Sequence, residues 1–180
     1  MAGGSLLSKL RKGFGEFLDA GLVRGSLPRL YGAQAAGCAP IVRLVERGGD
    51  VLAPEVPQTI CRSLAIGSPA DGVFAARAMR ETGGWAAAVS DPELVEGIRF
   101  LAEDTGVFAE TAGGVTAAGA LALARAGRLE PRDEVVLCIT GHGLKTLEAV
   151  QGAVPEAPVI APRLREVTTL VEEERTWPSR

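Results

Sequence analysis

The stretch Glu134-Val-Val-Leu-Cys-Ile-Thr-Gly-His-Gly-Leu-Lys145 predicts the centre of a parallel sheet. Five apolar residues, 135–139, run without a break into Thr140-Gly141-His142-Gly143. An unbroken apolar run is typical of a strand that is covered on both faces. A helix is predicted over 144–150. Open α/β sheets bind ligands where a strand ends in such a turn, although a strand followed by a glycine turn also occurs without any ligand.

The composition indicates a globular protein of one domain. The 180 residues are 47% hydrophobic, with 23 glycines and a net charge of −3. Lys and Arg do not cluster, which argues against a nucleic-acid partner. Since no apolar segment approaches the roughly 20 residues of a membrane span, and no signal peptide pattern opens the chain, we expect no membrane partner and a cytoplasmic location.

The three cysteines, Cys38, Cys61 and Cys138, are scattered and odd in number. They therefore argue against a disulfide framework and against a zinc site. Cys138 lies in the middle of the predicted central strand, where a free cysteine is expected to act as a small core residue.

Predicted strands alternate with predicted helices along the chain. The strands are expected at 29–34, 85–89, 107–110, 135–139 and 159–160. The helices are expected at 6–18, 38–47, 71–82, 90–104, 111–127, 144–150 and 163–174. This alternation predicts an α/β fold of three layers, with a mostly parallel sheet and helices on both faces.

Three short loops each open a helix: Ala2–Ser5, Glu110–Gly114 and Thr140–Gly143. We expect them to ring one pocket that offers backbone N–H groups, hydroxyls and one carboxylate. Such a pocket suits a phosphorylated, planar ligand better than a metal ion. The first loop can also be read as a loose start before an amphipathic helix. His142, the only histidine, can be read as a general base or as part of the pocket wall.

Six segments, in order along the chain, resemble the carboxyl-terminal half of threonine synthases. This family consists of pyridoxal-phosphate enzymes of fold type II, which is also called the tryptophan-synthase-β-like group. The resemblance covers residues 2 to about 150. The segments are Gly4-Ser-Leu-Leu-Ser-Lys-Leu-Arg-Lys-Gly-Phe14, Gly32-Ala-Gln-Ala-Ala-Gly-Cys-Ala-Pro-Ile41, Ala65-Ile-Gly-Ser-Pro-Ala-Asp-Gly72, Ala88-Val-Ser-Asp91, Gly106-Val-Phe-Ala-Glu-Thr-Ala-Gly-Gly-Val-Thr116 and Thr140-Gly-His-Gly-Leu-Lys145.

The resemblance implies pyridoxal 5′-phosphate as cofactor and assigns four site residues to it. Gly3, Gly4 and Ser5 would bind the phosphate through backbone N–H groups, and Thr140 would lie beside the pyridine nitrogen. The family usually has proline at the place of Thr111 and asparagine at that of His142. The implied reaction converts O-phospho-L-homoserine and water to L-threonine and phosphate.

The family's Schiff-base lysine and its substrate-carboxylate loop match no segment of this sequence. Lys9, Lys12 and Lys145 match other family positions. We therefore expect residues 1–160 to form the carboxyl-terminal part of a cofactor domain and 161–180 a terminal helix and tail. The partner would be the missing amino-terminal half or a second subunit. Without that partner, the chain alone is expected to be inactive and to expose an unpaired strand edge.

Two other functions fit the sequence. One is another fold type II enzyme, such as a cysteate synthase or a threonine dehydratase. The other is a non-catalytic remnant or subunit that binds phosphorylated metabolites. An upstream in-frame segment carrying the lysine would separate an enzyme from a remnant.

Overall fold

Two short strands form a parallel pair. They are β1 (Gly32–Ala35) and β2 (Ala86–Val89), with Gly32 opposite Ala86 and Ala35 opposite Val89. Both strands were predicted. Their small side chains allow helices to pack closely: a Cβ on Gly119 would lie 2.4 Å from the Cβ of Ala33 in β1.

The computed structural model describes residues 1–154 and 158–175. These fall into two units, Met1–Val150 and Gln151–Arg180. No helix in the described ranges is long and apolar enough to span a bilayer. The helices of the first unit are α1 (Ser5–Asp19), α2 (Pro40–Arg47), α3 (Gly72–Glu81), α4 (Asp91–Thr105) and α5 (Thr111–Arg125). The second unit contains α6 (Leu164–Arg175), and the predicted tail at 176–180 lies outside the described residues.

Helices pack on both sides of the strand pair. Helices α1, α2 and α3 share one apolar cluster with Ala86 of β2, built on residues such as Leu44 and Met79. Helices α4 and α5 share another with Ala35 and Val89. The predicted α/β class, with helices on both faces of a parallel sheet, is therefore confirmed.

Local signals explain why α4 begins and ends where it does. The Glu93 N–H donates to Ser90 Oγ (3.4 Å), and Glu93 Oε2 accepts from the Ser90 N–H (2.7 Å), which together make a capping box. Pro92 occupies the first turn, where a missing N–H costs nothing. Gly106 ends the helix at a φ of +73°.

The predicted central strand is wrong. Residues 134–140, which we call the open segment, are not paired into any strand in the described part of the chain. Val136 is 86% exposed and Cys138 is exposed, so the prediction of Cys138 as a core residue is also wrong. An apolar run forms a strand only when another chain segment offers it hydrogen-bonding partners.

Three other predicted elements differ from the structure. Residues 107–110 are not a strand: an isolated antiparallel bridge joins Ala109 to His142. Glu110, the last of these residues, is the N-cap of α5. The helix predicted at 144–150 is instead a 3₁₀ helix, Gly143–Ala149, that is kinked at Thr146. Residues 159–160 are not a strand.

Candidate functional site

The Ala2–Ser5 loop opens α1 and contacts the turn before α3. The Asp71 N–H donates to the Gly3 carbonyl (3.0 Å), and Ser5 Oγ donates to Asp71 Oδ2 (2.5 Å). Gly4 has a φ of +91°, and a Cβ on it would lie 2.7 Å from the Asp71 carbonyl oxygen. Both the left-handed backbone and this close approach require glycine.

The N-terminus of α1 is suited to an anion. It has no side-chain cap and no acidic residue in its first turn. The first N–H groups of such a helix have no partner within the helix and point along its dipole toward the loop. The Asp71 carboxylate lies beside this N-terminus and accepts from Ser5 Oγ.

Hydrogen bonds hold two of the three predicted loops together. The Glu110 N–H donates to the Gly141 carbonyl (3.0 Å), and the Gly143 N–H donates to the Phe108 carbonyl (2.9 Å). A Cβ on Gly141 would lie 1.9 Å from Glu110 Oε1, so the loop passes directly over that carboxylate. The Ala2–Ser5 loop makes its contacts with Asp71 instead.

Glu110 is a buried carboxylate with a specific cationic partner. It is only 5% exposed, and its Oε2 lies 2.6 Å from Lys145 Nζ. Lys145 remains 62% exposed, so water weakens the pair from its side. The ion pair thus joins Glu110, the N-cap of α5, to Lys145, which follows the Thr140–Gly143 loop.

Thr111 begins α5 and is completely buried. Its N–H donates to the Oγ1 of Thr146 (3.1 Å), the residue at which the 3₁₀ helix is kinked. Its own Oγ1 has no hydrogen-bond partner among the described residues. A proline at position 111 would have no hydroxyl to leave without a partner. It would also have no N–H to donate to Thr146 Oγ1.

Thr140 and His142 differ in their surroundings. Thr140 is exposed, so its hydroxyl is accessible to a ligand. The His142 ring packs edge-on against Phe108, with ring centroids 5.7 Å apart, and its Nδ1 accepts from the Leu144 N–H (3.2 Å). These contacts support His142 as part of the wall more than as a general base.

All three lysines are in contact with solvent. Lys9 and Lys12 lie exposed on α1, and Lys12 pairs with Glu16. Lys145 pairs with Glu110. A lysine that attacks a carbonyl carbon must be desolvated and unprotonated. None of the three has that environment.

A family model described as pyridoxal-phosphate dependent enzyme matches residues 1–141. The chain belongs to this family. The match begins at the Ala2–Ser5 loop and ends in the Thr140–Gly143 loop, so it contains all the predicted site residues. The predicted family and its cofactor, pyridoxal 5′-phosphate, are confirmed.

The chain is similar to curated threonine synthases. It is 39% identical to that of Methanocaldococcus jannaschii over 145 residues, which is 79% of this chain and 35% of the relative. It is 36% identical to that of Methanosarcina acetivorans over 156 residues, 86% of this chain and 38% of the relative. It is 35% identical to that of Mycobacterium tuberculosis H37Rv over 162 residues, 90% of this chain and 42% of the relative. The chain thus spans less than half of each.

A solved crystal structure of the T.th. threonine deaminase has the same fold. The TM-score is 0.52 at 20% sequence identity, over 76% of this chain and 49% of that one. This likeness agrees with the α/β class of the fold.

The residues of this chain fit part of the cofactor. The N-terminus of α1, which has no side-chain cap and no acidic residue in its first turn, is suited to the phosphate group of the cofactor.

Sequence reasoning missed two polar contacts that are made by buried side chains. One is the Glu110–Lys145 pair, which joins residues far apart in the chain. The other is Gln34 in β1, whose Oε1 accepts from the N–H groups of Ile41 (2.9 Å) and Val42 (3.1 Å) at the start of α2. A glutamine within an otherwise apolar strand was the available signal for the second.

Proposed function

We propose that this chain is the carboxyl-terminal portion of a threonine synthase, a lyase that converts O-phospho-L-homoserine and water to L-threonine and phosphate. The observation that carries the proposal is the identity of 35–39% to threonine synthases over 79–90% of the chain. The fold likeness to threonine deaminase carries no argument about the substrate.

The chain would supply two contacts to the cofactor. Gly3, Gly4 and Ser5 would hold the phosphate with the N–H groups at the start of α1. Thr140 would lie beside the pyridine nitrogen, where a neutral hydroxyl leaves that nitrogen largely unprotonated. The bound cofactor supplies an electron sink for the elimination of phosphate and the addition of water. The Glu110–Lys145 pair would fix the turn that carries Thr140.

The amino-terminal portion of the enzyme would supply the catalytic lysine, either in the same polypeptide or as a second subunit. Support comes from the exposed positions of Lys9, Lys12 and Lys145 and from relatives more than twice as long as the matched region. Residues 1–160 would then complete the cofactor domain, with 161–180 as an appended helix and tail. We place this biosynthetic activity in the cytoplasm.

The test compares the chain alone with a joined chain, in which the unmatched amino-terminal portion of the M. jannaschii enzyme precedes Met1. Each is mixed with pyridoxal phosphate, reduced with borohydride and mapped by peptide mass spectrometry, while threonine formation is assayed in parallel. We expect the joined chain to form threonine and to carry the label on one lysine of the added portion. Threonine formation by the chain alone, with one of its own lysines labelled, would overturn the assignment.

Thr140→Val in the joined chain tests the second contact, with Thr140→Ser as the matched control. We expect the valine variant to lose turnover and change its cofactor absorption spectrum, and the serine variant to retain both. Because Thr140 is exposed, folding stability should change by no more than about 1 kcal/mol. An unchanged spectrum and turnover in Thr140→Val would remove Thr140 from the site.

A further inference from the structure

Lys145 is an exposed lysine whose ion-pair partner is an almost completely buried carboxylate. The side chain of Lys145 is 62% exposed, whereas that of Glu110 is 6% exposed. Lys12 and Glu16 also form an ion pair, but both of those side chains are 61% exposed. The two pairs have the same chemistry and differ in the burial of the carboxylate. Glu110 therefore depends on its lysine to compensate a charge that water barely reaches.

The Glu110 carboxylate lies between the N-terminus of α5 and the Thr140–Gly143 loop. Glu110 is the N-cap residue of α5, and the positive end of a helix dipole favours a carboxylate there. A Cβ on Gly141 would lie 1.9 Å from Glu110 Oε1, so the backbone of the loop rests directly on this carboxylate. In the part of the chain that the structure describes, the salt bridge of Glu110 is the one to Lys145.

Backbone hydrogen bonds join the residues around Glu110 to the loop that follows Thr140. The Glu110 N–H donates to the Gly141 carbonyl (3.0 Å), and the Gly143 N–H donates to the Phe108 carbonyl (2.9 Å). A carboxylate that left its buried position for water would have to pass the backbone that covers it. Because Thr140 directly precedes Gly141, such a movement would displace Thr140 together with the loop.

We propose that Lys145 is a positioning residue for the cofactor: its charge keeps the Glu110 carboxylate buried beneath Gly141, and thereby keeps the Thr140 hydroxyl in place for the pyridine nitrogen. This inference rests on the function proposed above and on the contact assigned there to Thr140. The two partners of the ion pair are unequal in this role. Loss of the Lys145 charge leaves a buried carboxylate without compensation, whereas loss of the Glu110 charge leaves a lysine in water.

The first test follows amide hydrogen exchange in the free chain. The reporters are the N–H groups of Glu110, Thr111 and Gly143, which are all hydrogen-bonded at this loop and the turn after it. We expect Lys145→Met to accelerate their exchange by at least about tenfold, because the buried carboxylate loses its cation. Lys145→Arg, which keeps the charge, should leave exchange unchanged. So should Lys12→Met, the matched control, since its partner carboxylate is exposed.

A variant of the carboxylate separates the charge of Lys145 from its contact. Glu110→Gln should accelerate exchange by less than about threefold, and the double variant Glu110→Gln/Lys145→Met should exchange at the same rate as Glu110→Gln. Equal acceleration by Glu110→Gln and Lys145→Met, with no recovery in the double variant, would overturn the inference. If Lys145→Met does not fold, Lys145→Arg and the double variant must still fold, and failure of either would overturn it as well.

The second test measures the cofactor in the joined chain. We expect Lys145→Met to change the cofactor absorption spectrum in the same direction as Thr140→Val and to lower kcat, whereas Lys145→Arg and Lys12→Met retain both. An unchanged spectrum in Lys145→Met would overturn the link from Lys145 to the cofactor. A joined chain of native sequence that forms no threonine would overturn the proposed function instead, and exchange in the free chain would still decide whether the charge of Lys145 holds the loop.

Discussion

Strand β2 and the open segment are similar in sequence but differ in structure. Both are short apolar stretches that end in a residue with a hydroxyl, Ser90 after β2 and Thr140 at the end of the open segment. β2 pairs with β1, and its Val89 is 1% exposed. In the open segment, Val136 is 86% exposed and lies outside the ladder.

The difference shows that an apolar run indicates burial but does not determine whether another strand of the chain lies beside it. β2 has a neighbour within the chain, because β1 lies beside it and Gln34 fastens β1 to α2. The open segment has α5 on one side and, in the described residues, no strand beside it. Substitutions in the two regions should therefore have very different effects on the free chain.

The largest effect is expected from Gln34→Met. This change removes the acceptor of two buried N–H groups, Ile41 and Val42, and leaves both unsatisfied. The free energy of unfolding should fall by about 3 kcal/mol. Urea denaturation measures it, with Gln58→Met, on an exposed glutamine, as the control. If both variants lost the same unfolding free energy, the hydrogen bonds from Gln34 to α2 would not stabilise the fold.

The same substitution, valine to alanine, can be made in β2 and in the open segment and compared directly. Val89→Ala removes two buried methyl groups and should cost about 2 kcal/mol of unfolding free energy. Val136→Ala should change it by no more than about 0.5 kcal/mol in the free chain, because the side chain is already in water. Equal losses in the two variants would show that the open segment is covered in the free chain after all.

A smaller effect is expected at the end of β2, where the capping box orders the turn into α4. Ser90→Ala removes the hydroxyl that accepts from the Glu93 N–H. It should reduce the unfolding free energy by about 1 kcal/mol. Thr140→Ala, at the end of the open segment, should have almost no effect on the same measurement. A larger loss at Thr140 than at Ser90 would reverse the expected order.

The smallest effect is a pH dependence at the same cap. The Ser90 hydroxyl and backbone N–H hold the pKa of Glu93 below its usual value. The unfolded chain therefore binds a proton more readily, and the cap's contribution is complete above the unfolded pKa and is lost as pH falls through the lowered folded pKa. Acid titration of stability should show this loss in the native sequence and not in Glu93→Gln, which keeps the geometry without titrating.

Much of the fold was predictable because the signals are local. Ser90, Pro92 and Glu93 predict the start of α4, and Gly106 its end, with no reference to the rest of the chain. The lack of strand partners for the open segment among the described residues was not predictable, since it depends on which residues lie beside the segment in space. The exposed state of Cys138 follows from the same missing neighbour.

The candidate site was predictable to a similar extent. The sequence placed glycine-rich loops at the starts of α1 and α5, and the structure joins the Glu110 and Thr140 loops by hydrogen bonds. The ion pair between Glu110 and Lys145 could not be foreseen, because side-chain contacts across many residues leave no periodic pattern. The roles of Gly3, Gly4, Ser5 and Thr140 toward the cofactor stay predictions.

Amide hydrogen exchange of residues 135–139, compared with 86–89, tests most directly the proposal that this chain is the carboxyl-terminal portion of a larger enzyme. In the free chain we expect 135–139 to exchange nearly as fast as an unstructured peptide, and the paired amides of 86–89 at least about a thousandfold more slowly. In the joined chain both stretches should be protected. Protection of 135–139 in the free chain, or its absence in the joined chain, would contradict the account.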